Sequence, residues 1–218
     1  MPIGINMLLV LEACWHRYML SKAVTCCLNK KLGRIQMSLL AESLVEEWLN
    51  RAGYFTIRGA RFGVSEMDLL AVRQGPAGFE ARHIEAQVST NPISYISPLT
   101  DAQAKQLGKA KTSAWARPPE VLEAAVSAWV EKKFHAPGKV SARNKAWPGL
   151  TWSLEFVHGS VRHPEELDLI RDHGIQTHTF YEVLASLCND AALTQKGGAG
   201  TDIAEMLAYY VKHRDFAA

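Results

Sequence analysis

Apolar residues recur at helical spacing over residues 38–52, where Leu40, Leu44 and Trp48 follow at four-residue steps and Val45 and Leu49 widen the stripe. Gly53 comes directly after, as a glycine that ends a helix does. The period then changes. Residues 54–58 (Tyr-Phe-Thr-Ile-Arg), 66–72 and 79–89 read as strands, the last two separated by the turn residues Gln74-Gly75-Pro76-Ala77-Gly78, so the three form a meander. A helix is expected over 101–111. A stronger one opens at Pro118-Pro119 and runs to Phe134, with Leu122, Val126, Trp129 and Val130 on its apolar face. Residues 137–148 read as a polar, basic connection. Beyond it the pattern predicts a strand at 151–157, a helix at 163–173 starting at Pro164, a short strand at 175–179 and a helical turn or two at 180–187. Gly197-Gly198-Ala199-Gly200 is a loop before a terminal helix over 202–214. The order α-β-β-β-α-β-α-β-α implies an α/β fold, a central mixed sheet of about four to five strands flanked by helices.

Composition narrows the class. The chain has 218 residues, 48% hydrophobic and 21% charged, which suits a globular chain able to bury a full core. The apolar run at residues 7–11 is far short of the roughly 20 residues that span a bilayer, so no membrane is expected as a partner. No basic residue precedes that run, and Glu12, His16 and Arg17 follow at once, so it does not read as a secretory signal. Cys14, Cys26, Cys27 and Cys188 offer no CxxC pair and read as reduced thiols of a cytoplasmic protein. Residues 1–36 are the least regular part. Met37 opens the first clear amphipathic helix, so the segment before it reads either as an extension that is not native or as a peripheral N-terminal helix.

The net charge of +2 hides an asymmetry. Residues 101–150 carry nine Lys or Arg against four Asp or Glu, whereas residues 151–218 carry five against ten. A basic middle with Trp115, Trp129 and Trp147 among its cations could track a phosphate backbone, or be a solvated helix face over buried aromatics.

The candidate chemistry lies between residues 41 and 90. Glu66-Met67-Asp68-Leu69-Leu70-Ala71 puts acids into an otherwise apolar strand, where a carboxylate is costly unless paired or bound to a cation. In His83-Ile84-Glu85-Ala86-Gln87-Val88, side chains 83, 85 and 87 share one face. Adjacent antiparallel strands would set Asp68 beside Glu85. Two carboxylates and a backbone carbonyl are hard oxygen donors that suit magnesium or manganese. Glu42, at the edge of the stripe of Val45 and Leu49, is a third acid that a helix packed on the sheet could present to them, while Glu46 lies further toward solvent. Glu66 reads as a solvated neighbour; His83 shares the face of Glu85 and reads either as part of the site or, more often for such a histidine, as a hydrogen-bonded surface group. His158, His163, His173 and His178 lack metal-ligand spacing. No Gly-x-Ser-x-Gly frame supports a serine hydrolase, and the glycines at 197–200 lack the strand that leads into a phosphate loop.

Taken in order, Ala41-Glu42, Gly53-Tyr54, Ser65-Glu66-Met67-Asp68 and Ile84-Glu85-Ala86-Gln87 resemble the PD-(D/E)xK nuclease superfamily, especially its Holliday-junction-resolvase-like and Mrr-like endonucleases. The resemblance covers residues 38–95 firmly and 150–188 loosely, leaving 96–149 as a helical basic insertion. It implies a restriction-endonuclease-like core within a domain at 37–190, with a linker and C-terminal helix at 191–218. It implies metal-dependent DNA endonuclease activity in restriction, repair or mobile-element biology. Asp68, Glu85 and the carbonyl of Ala86 would hold Mg2+ or Mn2+, with Glu42 completing the shell directly or through water. Gln87 stands where the family has lysine, and glutamine can hydrogen-bond a water but brings no positive charge. Arg82, Lys105 or Lys109 are candidates to supply that charge. DNA is the expected partner, contacted through Lys105, Lys109, Lys111, Lys132 and Lys133, and a homodimer is compatible with the sequence. The rival reading is a nucleic-acid-binding protein of the same fold that has lost cleavage with the lysine. A third is an interaction protein whose acids only pair with arginines.

Overall fold

A computed structural model describes residues 39–63, 65–89, 91–189, 202–203 and 205–206. The expectations for residues 1–36, for the glycine loop and for most of the terminal helix fall outside these. Helix α1 runs through residues 39–51. It ends where Gly53 takes a left-handed φ of 82°, which lets the amides of Gly53 and Tyr54 bond back to the Asn50 and Leu49 carbonyls at 3.0 Å each. There follow β1 (Phe55–Phe62), β2 (Ser65–Gly75), β3 (Gly78–Gln87), α2 (Asp101–Leu107), α3 (Pro119–Val130), a π-helical turn (Glu131–His135), α4 (Pro137–Ala146), β4 (Trp152–His158), α5 (Glu165–Asp172), β5 (Gln176–Thr179) and α6 (Phe180–Asn189).

The five strands form one mixed sheet in the order β1-β2-β3-β4-β5. The first three make the antiparallel meander, and β4 and β5 add parallel to β3. Alternation sends the two sets of side chains to opposite faces. On one face Leu69, Ala71, Ile84 and Val157 pack with Leu44, Val45 and Leu49 of α1 and Val183 and Leu187 of α6. On the other, Phe156 packs with Leu122, Val126, Trp129 and Val130 of α3, with Phe134, and with Leu167 and Ile170 of α5. This is the expected α/β architecture.

Residues 96–149, expected as an insertion, are built into the fold rather than laid over it. Glu166, fully buried, accepts the amides of Ile96 and Ser97 at 2.8 and 2.7 Å, fixing the chain that enters it. Arg117 lies 3.8 Å over the Tyr95 ring, which stacks on His163 at 4.3 Å. Two readings change. Helix α2 stops at Leu107 because Gly108 adopts the left-handed conformation and closes it. Residues 137–148, expected as a connection, contain helix α4 with Pro137 in its first turn. Its buried residues are Lys139, Ala142 and Arg143, which lie on one helical face but break the apolar pattern. Among the described residues no helix is long and apolar enough to cross a membrane.

Candidate active site

Two ladders lose their regularity at one residue. The pairs Arg58↔Leu69 and Ala60↔Met67 flank Gly59 and Asp68, and Gly59 takes a φ of 62° that favours glycine. On the other side the β2–β3 pairing ends at Leu69↔Ile84. One step further in that register sets Asp68 across from Glu85. There the Asp68 side chain takes over from backbone, and the Ala86 amide donates to its Oδ2 at 2.9 Å. In an antiparallel pair the N–H and C=O of one residue face the same neighbour, so the Ala86 carbonyl is also turned toward β2.

Glu85 is fully buried, and both of its oxygens accept from cations. Lys133 Nζ lies 2.6 Å from Oε2, and Lys139 Nζ lies 2.5 Å from Oε1. His83 Nε2 is 3.0 Å from Oε1, and the Arg143 guanidinium donates to His83 Nδ1. That donor fixes the imidazole with its proton on Nε2, where it donates to Glu85. Burial and then the nearby Arg143 and Lys139 charges hold the His83 pKa down, despite the pull of Glu85 toward the charged form. His83 is thus a fully buried link between Glu85 and Arg143, and the expectation of a surface group is corrected. A site histidine between two charged groups needs no solvent.

The two acids are driven apart electrostatically. Burial pushes the Glu85 pKa up, but the His83 hydrogen bond and the charges of Lys133 and Lys139 outweigh it and hold it at about 2. Asp68 is pushed up to about 7, first by burial and then by the charge of Glu85, with Glu42 adding to the rise. Lys133 and the Ala86 amide only partly offset this. The charge of Glu42, on α1, thus reaches Asp68.

By their chemistry, the carboxylates of Asp68 and Glu85 on facing strands and the Ala86 carbonyl are the kind of oxygen donor a hard divalent ion takes, although both Glu85 oxygens are held by Lys133 and Lys139. Among the described residues no three His, Cys, Asp or Glu side chains form a group that could hold an ion by themselves. The carbonyl and water must complete any shell.

The cations that the resemblance offers as suppliers of positive charge go elsewhere. Arg82 forms a two-pronged pair with Glu155 and lies 4.9 Å over the Trp48 ring. Lys109 lies 5.8 Å over Trp115, Lys111 pairs with Asp101 at 2.5 Å, and Lys105 and Lys132 are exposed. Gln87, two residues beyond Glu85 on β3, is half-buried. Sequence reading placed Lys133 on a nucleic-acid surface and did not single out Lys139 or Arg143. The available signal was their spacing after Pro137, which is that of a helix carrying its charges inward. An open depression of about 500 Å³ lies apart from the acids, lined in part by Tyr54, Glu80, Arg82, Trp152 and Glu155. Glu155 there is held at about 2: burial raises it, but His178 and Arg82 outweigh burial. No family model, curated protein or solved structure matches the chain.

Proposed function

We propose that this protein is a metal-dependent endonuclease that hydrolyses phosphodiester bonds of DNA. The observation that carries the reading is Asp68, anchored by the Ala86 amide across from Glu85 at the point where the sheet opens. Asp68, Glu85 and the Ala86 carbonyl would hold Mg2+ or Mn2+, with Glu42 beside them. Such an ion, when bound, lowers the pKa of water and stabilises charge on a phosphoryl group. The chain's own residues do the rest. The Ala86 amide fixes the Asp68 carboxylate, His83 and Lys139 orient Glu85, and Gln87 can hydrogen-bond a water without adding charge. Lys105, Lys109, Lys111 and Lys132 would contact phosphates, which gives affinity without sequence choice.

One observation favours a second reading. Both Glu85 oxygens already carry ammonium partners, as they would in a structural ion-pair cluster of a protein that binds nucleic acid without cutting it. Nicking of supercoiled plasmid with Mg2+ or Mn2+, comparing wild type with Asp68→Ala and Glu85→Ala, separates the two. The nuclease reading expects nicking by the wild type and a loss of roughly 100-fold or more in each variant. No cleavage by any of the three, with DNA binding retained, would establish the binding protein instead.

A further inference from the structure

Resting on the nuclease reading, we infer that Lys133 supplies the positive charge at the substrate phosphate that Gln87 does not, while Lys139 is a positioning residue that keeps Glu85 in place. The two lysines share one carboxylate but differ in setting. The Lys139 side chain is 7% exposed and lies in the cluster of Glu85, His83 and Arg143. The Lys133 side chain is 33% exposed and lies at the rim, where its charge also acts on Asp68 and Glu42.

Lys133 and Phe134 lie three and four residues beyond Val130, on the inward face that α3 carries on through its closing π-helical turn, where Phe134 enters the core and Lys133 meets Glu85. A divalent ion that takes Glu85 Oε2 must displace the ammonium now 2.6 Å from it. Lys133 has a flexible four-carbon stem and access to solvent, so it can leave Oε2 and meet the phosphate anion brought in by the substrate. Residue 87 lies on the same face of β3 as Glu85, so a lysine there would approach the same place.

The test uses the full chain, with Mn2+ binding measured calorimetrically and plasmid nicking measured in parallel. Lys133→Met should bind Mn2+ several-fold more tightly than wild type, because the competing ammonium is gone, yet nick about 100-fold more slowly. Lys133→Arg, which keeps the charge, should retain most of the nicking. Adding Gln87→Lys to Lys133→Met should recover at least about tenfold. If wild type does not nick, whether or not it binds Mn2+, the nuclease reading fails and this inference with it. If wild type does both, the inference alone is overturned by Lys133→Met that nicks at the wild-type rate, by weakened Mn2+ binding in that variant, or by no recovery from Gln87→Lys. Lys133→Met that does not fold is judged on the Lys133→Arg result, where loss of nicking in a folded protein overturns the inference.

Discussion

The ammonium of Lys139 lies 2.5 Å from Glu85 Oε1, joining two buried side chains that are 54 residues apart in the chain. Neither would be tolerated in that interior alone, since an unpaired charge there loses its hydration without compensation. Each is the reason the other can be buried.

Removing the shared partner should therefore cost more than removing one cation. Glu85→Gln leaves Lys139 and Lys133 without their carboxylate and is expected to destabilise by about 3–5 kcal/mol. Lys139→Met leaves Glu85 with Lys133 and His83 and should cost about 1–3 kcal/mol. Urea unfolding at neutral pH orders the two, and the reverse order would show that Glu85 is not the hub.

Asp68 has a raised pKa, so the sign of its linkage is unusual for a carboxylate. Between about pH 4 and pH 7 the folded protein holds a proton that the unfolded chain releases. In that window its contribution to stability falls as pH rises, and above pH 7 the full penalty is present. Asp68→Asn should remove this slope and gain on wild type by about 1–3 kcal/mol at pH 8. Millimolar Mn2+ should stabilise the wild type at pH 8 and leave Asp68→Asn unchanged. Melting temperatures from pH 4 to 8, with and without the ion, check both points.

Glu155 behaves in the opposite sense. Its pKa is held at about 2, below that of the unfolded chain, so its contribution is complete above about pH 4.5 and is lost as pH falls toward 2. The stability difference between wild type and Glu155→Gln should shrink steadily as pH falls from 4.5 toward 2. A difference that persists at pH 2 would mean that Glu155 acts through packing instead.

Phe134 is the apolar anchor of the π-helical turn. It is fully buried, its ring 5.2 Å from that of His83 and 6.0 Å from that of Trp129. Phe134→Ala should cost about 3–5 kcal/mol in unfolding experiments. Because Lys133 is the preceding residue, the same variant should also raise hydrogen exchange across residues 131–135.

The elements that anchor the site were legible in local pattern. Leu40, Leu44, Val45 and Leu49 announce α1 by their spacing, Gly53 ends it, and the alternation around Glu85 puts residues 83, 85 and 87 on one face. These features depend on neighbours within one turn or one strand, so sequence alone determines them. It also sufficed to set Asp68 against Glu85, because a tight hairpin between β2 and β3 leaves one dominant register. What tertiary structure decided was the fate of the cations. Helix α4 was missed because its inward face carries Lys139 and Arg143, a pattern that signals solvent until a buried acid and histidine are known to wait for them. Likewise Arg82 was drawn away to Glu155 on β4, 73 residues on. A charge buries itself only against a partner, and such partners are brought together by the fold rather than by the chain's local order.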